Sequence, residues 1–250
     1  MEALQADERH RFSDTKEQSA WEAEVMDPGS KLILAHEQDR RDEALIRRLY
    51  EDVAPRVANR HDLVLFTDGE PSYTTLFPEY FGVPYQPSRN GTRGRRPKIR
   101  YRIPRSLAHV QIVKRREGGR LVEVEIRYPH GSHKRVAQAL DSLGYSQPNT
   151  SAIERRNGTA RRMTIYQVRK SIAFSRRPDV KLALGWWGVT VYNWCRHHRS
   201  LRQPIDEPEG KKSTNSALRP WPPVSPITFS QSGNSCSHQS IRQDPGDNLT

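Results

Sequence analysis

Cysteine is nearly missing from this chain of 250 residues: only Cys195 and Cys236 occur, far apart and without CxxC spacing. That excludes a disulfide framework and a structural zinc finger. It fits an intracellular protein with reduced thiols, and a cytoplasmic location is expected. Long apolar runs are missing too. No stretch is apolar enough to cross a bilayer, so no membrane association is expected, and the acidic, polar opening residues do not read as a signal peptide. Hydrophobic residues make up only 34% of the chain, which predicts that part of it is unpacked. Neither a phosphate-cradling loop of Walker type nor a motif for Ser/His/Asp catalysis occurs.

Positive charge, by contrast, is abundant. Forty-one Lys and Arg against 29 Asp and Glu give a formal net charge of +12, with an isoelectric point near 10.0. A polyanion is the expected partner. The acids crowd the first third, from Glu2 and Asp7 to Asp42 and Glu43. Basic residues then come in three blocks. The first runs from Arg89 to Arg105, the second is Lys114, Arg115 and Arg116, and the third extends from Arg155 to Arg177. One such block is usually solvated surface; three on one chain favour a nucleic-acid backbone.

Patterning predicts an alternation of strands and helices. A short strand is expected around Ala6 and Asp7, a second over Trp21 to Met26, the turn Asp27-Pro28-Gly29-Ser30, and a third strand over Lys31 to His36. Leu45, Leu49, Val53 and Val57, backed by Ile46, recur at helical spacing over Asp42 to Val57. Leu63 to Thr67 then forms an apolar run of strand length ended by Asp68 and Gly69. Three strands, a helix and a strand in that order imply a sheet mixing antiparallel hairpins with a parallel crossover. A short helix is expected over Ser72 to Phe81 and a Gly/Arg-rich loop over Ser88 to Lys98. Gly118 and Gly119 supply a hairpin turn. Val122, Val124, Ile126 and Tyr128 alternate with Glu123, Glu125 and Arg127 as a half-buried strand. Residues 89–130 therefore read as a β-rich basic insertion.

Val136 to Leu143 reads as a helix stopped by Gly144. Ser151 to Ser175 reads as an amphipathic helix with a cationic polar face, capped by Thr150 or Ser151. Asp179 to Trp194, with Trp186, Trp187, Tyr192 and Trp194, reads as an aromatic core helix, although Gly185 and Gly188 weaken that reading. The Pro/Ser/Asn/Gln-rich stretch from about Pro204 to Thr250 is expected to be disordered.

Three acids stand out by position: Asp7 on the opening strand, Asp68 at the end of the fourth, and Glu154 on the basic helix. An aspartate at the carboxyl end of a buried strand sits where open α/β sheets hold ligands. Such an acid needs a partner or a cation, or else is a turn residue bonded to the Gly69 backbone. Glu154 in a first helical turn is also favoured by the helix dipole alone. Carboxylates remote in sequence but gathered at one sheet edge suit two Mg²⁺ or Mn²⁺ ions, which phosphodiester chemistry requires about 3.5–4 Å apart. Cys195, His197 and His198 hint at a soft-metal site. The preferred reading is a helix end, with Arg196, His198 and Arg199 meeting carbonyls or DNA phosphates, because a zinc site needs a complete ligand set.

The segments LQADERHRF, WEAEVMDPGSKLILA, FTDGEPSY, NTSAIERRNGTARRM and YNWCRHHRSL resemble successive motifs of bacterial insertion-sequence DDE transposases, and among them the insertion-sequence-one-like group. The resemblance covers roughly Leu4 to Leu201. It implies an α/β, RNase H-like mixed sheet flanked by helices over residues 1–203, with Asp7, Asp68 and Glu154 as the catalytic, metal-binding triad. It also implies two Mg²⁺ or Mn²⁺ ions and a DNA path lined by Arg155, Arg156, Asn157, Arg161 and Arg162. The implied function is metal-dependent cleavage and strand transfer of a mobile element. The alternatives are an RNase H-like nuclease without strand transfer, or a catalytically dead remnant that binds DNA or another transposase. Two departures carry expectations of their own. Arg9 and His10 follow the first acid pair where the family usually has an aromatic, so packing around Asp7 is expected to differ. The family's Cys-rich segment and helix-turn-helix have no counterpart, so a separate DNA-reading partner or homo-oligomer is expected. The tail beyond Lys211 and Lys212 no longer resembles the family and reads as frameshifted or decayed.

Overall fold

The computed structural model describes residues 1–13, 15–58, 60, 62–88, 96–163 and 177–201. The tail at 204–250, the second half of the helix expected over 151–175 and most of the loop at 88–98 lie outside the described residues. Three antiparallel strands open the chain: β1 (Ala3–Ser13), β2 (Thr15–Met26) and β3 (Ile33–Asp39). Helix α1 (Glu43–Val57) follows, its Asp42 side chain accepting a hydrogen bond from the Leu45 amide. This is the N-cap exchange that relieves an otherwise orphaned helix donor. Strand β4 (Val64–Thr67) then returns parallel to β1, and helix α2 (Pro71–Phe81) begins with proline in its first turn, where a missing N–H costs nothing.

A short ribbon, β5 (Val83–Tyr85) with β6 (Arg100–Arg102), lies outside the main sheet. Strands β7 (Ala108–Glu117) and β8 (Arg120–His130) form a hairpin. It turns on Gly118 and Gly119, whose φ angles of 56° and 82° suit residues without a Cβ. Helices α3 (His133–Leu143), α4 (Ser151–Met163) and α5 (Pro178–Thr190) complete the described chain, with a π-helical turn at Val191–Cys195. The result is a mixed α/β fold: one six-stranded sheet in the order β3-β2-β1-β4-β7-β8, flanked by helices.

Helices cover both faces of the sheet, which explains why Leu63 to Phe66 is apolar without alternation. Leu4, Ala6 and Leu65 pack under α1 and α2 with Leu49, Tyr50, Val53, Tyr73 and Phe77. Val64, Phe66, Val110 and Ile112 pack on the opposite face against Val136 and Ala139 of α3. A third cluster joins Met26 and Ile33 to Ile153 of α4 and to Val189 and Tyr192 beyond.

Three expectations need correction. Residues 89–130 do not form an insertion set apart from the parent sheet, because β7 pairs parallel with β4 and β8 pairs with β7. Ala108 to Ile112 are buried as a neighbour of β4 must be, whereas the basic residues that dominate the composition lie on the distal half of the strand. The apolar alternation of β8 is only partly covered: Ile126 and Tyr128 pack on the α3 cluster, while Val122 and Val124 are exposed. Likewise Trp187 and Trp194 are exposed rather than in a core. Among the described residues no helix is long and apolar enough to cross a membrane.

Candidate functional site: a carboxylate cleft at the sheet edge

Register places the first two acids. Gln5 of β1 pairs with Phe66 of β4, and two residues on in each parallel strand come Asp7 and Asp68, side by side. Strand β4 ends at Thr67 while β1 runs on to Ser13. Beyond that level, among the described residues, no strand pairs with β1 on this side, and a cleft of about 580 Å³ opens there. Because the strand edge is bare, residues from both of its faces reach the cleft. Asp7 and Glu8, adjacent in sequence, both line it.

The third acid arrives by a long-range cap. Helix α4 starts with its Ala152 and Ile153 amides donating to Gln5 Oε1 at 3.1 and 3.0 Å, while Gln5 Nε2 donates to the Asn149 carbonyl. A fully buried amide on β1 therefore satisfies the orphan donors of α4 and fixes that helix beside Asp7. Glu154 and Asn157, one turn apart, face the cleft. Asn157 Nδ2 donates to Asp7 Oδ2 at 2.8 Å, and its Oδ1 accepts from Arg9 at 2.9 Å. Since a guanidinium only donates, Arg9 fixes which end of the amide faces Asp7.

Asp68 accepts from the Glu70 amide at 3.1 Å, so the turn reading holds locally, with Glu70 rather than Gly69 as the donor. Arg41, from the loop before α1, reaches Glu8 at 2.9 Å, Glu70 at 3.5 Å and Asp68 at 3.9 Å, and its guanidinium lies 4.5 Å from the centre of the Trp21 ring. On the other side of the cleft Lys114 of β7 pairs with Glu154, which also accepts from Thr150 Oγ1.

The electrostatics divide accordingly. Burial, with Asp68 close by, lifts the Asp7 carboxyl to about 7, against the Glu8 amide and Asn157 bonds that pull it down. Burial and Asp68 lift Glu8 to about 7 as well, although Arg41 opposes. Burial also raises Asp68, with the Glu70 amide and Arg41 working against it. Glu154 goes the other way: burial would raise it, but bonds from Lys114 and Thr150 hold it below the usual range. Clustered acids with raised pKa values in a cleft are a recognised mark of a functional site.

The donor set suits a hard divalent cation. Its acids offer only oxygen, and Glu8 Oε1 is a buried atom with no hydrogen-bond partner. Among the described residues no three Asp, Glu, His or Cys side chains are already drawn into a coordination shell; Arg41 and Lys114 hold the acids instead.

The expected DNA-binding residues separate into two groups. Arg155, Arg162, Arg196 and Arg199 are exposed, and Arg161 lines the cleft. Arg156 is a correction. It is buried, donating to Glu24 Oε1 at 3.1 Å with its guanidinium over the Tyr192 ring, because its side of α4 packs on the sheet. Asn157 lines the cleft but is buried there between Arg9 and Asp7, and it holds an acid. His198 Nε2 donates to the Tyr192 carbonyl at 3.2 Å, as the helix-end reading anticipates. Glu8, Glu70, Arg41 and Lys114 escape the sequence reading. Period-two alternation puts Glu8 on the face opposite Asp7, and only the bare edge of β1 brings the two together.

Set against known proteins, the chain matches no protein-family model, no curated protein and no solved structure.

Proposed function

We propose that this chain is the catalytic domain of a DDE-type DNA transposase with an RNase H-like fold. The observation that carries the reading is the convergence of Asp7, Asp68 and Glu154 on one cleft, from two parallel strands and a helix pinned to one of them. The strand order β3-β2-β1-β4-β7, three antiparallel strands followed by two parallel ones, supports it. So does the net charge of +12, which favours a nucleic-acid partner.

In this reading Asp7, Asp68 and Glu154 hold two Mg²⁺ or Mn²⁺ ions. Such ions, when bound, supply activation of the attacking oxygen and stabilisation of the leaving oxygen. Asn157 keeps Asp7 aimed into the cleft. Arg161 and Arg116, which line it, and the exposed Arg155 and Arg162 neutralise backbone phosphates and hold the strand. Water adds to a phosphorus at the element end and the 3′-oxygen departs. The freed 3′-hydroxyl then attacks a phosphodiester of the target, displacing one of its oxygens. DNA at both steps, and a second copy or a DNA-reading partner, complete the proposal.

Full-length protein incubated with Mn²⁺ and duplex DNA carrying the sequences that flank its gene tests this, beside an Asp68→Ala control. Nicked and joined products that disappear in the control are expected. Nicking without joining supports a nuclease. The pairing of Glu154 with Lys114 favours a second reading, a DNA-binding remnant that cleaves nothing, and shifted but uncut DNA would establish it.

A further inference from the structure

The acids of the cleft are not evenly held. On one wing Glu8, Asp68 and Glu70 all reach the guanidinium of Arg41. The Glu8 side chain is 1% exposed, so it is a nearly desolvated carboxylate, which is costly unless it is compensated. Arg41 engages only its Oε2; Oε1 is buried without a partner. That is half of a donor set left vacant. Arg41 itself is 43% exposed and comes from a loop, and the Trp21 ring beneath it offers a resting face for the charge.

We propose that Arg41 is an exchangeable counter-ion, and that the wing of the cleft formed by Glu8, Asp68 and Glu70 binds a divalent cation in competition with it. A small cation placed among these oxygens meets both oxygens of Glu8, which the fork of Arg41 does not. The guanidinium swings outward on Trp21, where its charge becomes available to a phosphate. Glu8 is thus a further ligand of the site, and the apo protein holds its acids together with its own side chain. The inference rests on the reading of the cleft as a metal site, and deepens it.

Mn²⁺ binding to the full chain, followed by the paramagnetic resonance of free Mn²⁺, is the test, with the Mn²⁺-induced rise in melting temperature as a second readout. Arg41→Gln is expected to bind Mn²⁺ at least tenfold more tightly than the unaltered chain and to gain a larger rise in melting temperature. Glu8→Gln is expected to bind at least tenfold more weakly. Should Arg41→Gln not fold, Arg41→Lys keeps the charge but loses the fork, and is expected to bind more tightly than the unaltered chain but less tightly than predicted for Arg41→Gln. An affinity in Arg41→Gln or Arg41→Lys equal to or weaker than that of the unaltered chain overturns the inference. Asp68→Ala, at an acid common to the triad and to this wing, separates the two levels. If it abolishes binding while Arg41→Gln changes nothing, only the counter-ion role fails. If it leaves binding intact, the carboxylate site itself fails.

Discussion

Strand β1 carries charge into two neighbouring regions that are built differently. Around Arg9 the charges are buried and matched: Arg9 pairs with Glu22 at 2.6 Å and Glu24 at 2.8 Å, Arg11 with Glu22 at 2.9 Å, and Arg156 and His36 with Glu24. Burial opposes ionisation of Glu24, yet Arg156 and Arg9 hold it well below the usual carboxylate range. Just before Arg9, around Asp7 and Glu8, the acids outnumber the cations within reach, and these two carboxyls are raised to about 7. In the first region each carboxylate has at least two cationic partners, so its charge is closed even though Glu22 Oε1 and Glu24 Oε2 lack hydrogen-bond partners. In the second the acids share too few cations, and its charge stays open. Asn157 belongs to both, with one end on Arg9 and the other on Asp7.

Breaking the closed region is expected to give the largest effect. Glu24→Ala leaves Arg9 and Arg156 as buried cations without their shared partner, so a loss of about 3–5 kcal/mol is expected in denaturant unfolding. A loss under 1 kcal/mol would mean that water already screens the network. Gly185→Ala comes next. A Cβ there would collide with His36 Nε2 and lie 2.9 Å from Cε1, wedging α5 off the ring that bonds to Glu24. Such overpacking costs about 1–3 kcal/mol, read as a lowered denaturation midpoint.

The two regions also answer pH with opposite signs. An acid raised on folding takes up a proton, so its contribution declines as pH rises from the unfolded value to the folded one. For Asp7 that window runs from 3.8 to about 7. Glu24 is lowered, so its contribution is present above the ordinary value of 4.5 and lost as pH falls below it. Metal-free protein should therefore be most stable in mildly acidic buffer and weaken toward pH 8. Asp7→Asn should remove about 1 kcal/mol or more of that alkaline loss, at 1.4 kcal/mol per pKa unit, while abolishing Mn²⁺-dependent cleavage. Thermal unfolding across pH in chelator reads the first effect. An Asp7→Asn protein with the slope of the unaltered chain would show that Asp7 is not the strained acid.

Much of the frame was legible in the sequence because its signals are local. The 3.6-residue period found α1, a continuous apolar run found β4, and turn chemistry bounded β2 and β3 and found Gly118, Gly119 and Gly144. Asp7 was legible as an acid on the opening strand, Asp68 at a strand end and Glu154 in a first helical turn. What escaped depends on neighbours. Whether β7 belongs to the main sheet is set by its pairing with β4, not by its basic composition. Glu8 reaches the cleft only because β4 stops short, and Arg156 is buried only because α4 lies against Glu24 and Tyr192. Arg9 is 1% exposed, and its burial is tolerable only because two glutamates of the next strand pair with it.

Arg155 and Arg156 give the smallest and most discriminating comparison, because they are neighbours in one sequence block and belong to different regions. Arg155 is exposed on α4; Arg156 is 1% exposed and bonded to Glu24. Arg155→Ala should change stability by less than about 0.5 kcal/mol, as exposed substitutions do. If Arg155 touches a phosphate, the plot of log affinity against log salt should lose about one unit of slope, with cleavage chemistry intact. Arg156→Ala should instead lower the unfolding midpoint strongly and weaken DNA binding only as the folded fraction falls. Fluorescence anisotropy on one duplex at several salt concentrations, with unfolding curves on the same samples, separates the two. Equal salt slopes for Arg155→Ala and the unaltered chain would remove Arg155 from the DNA path. A stable, folded Arg156→Ala protein with a reduced slope would put that arginine in the path and undo its place in the closed network.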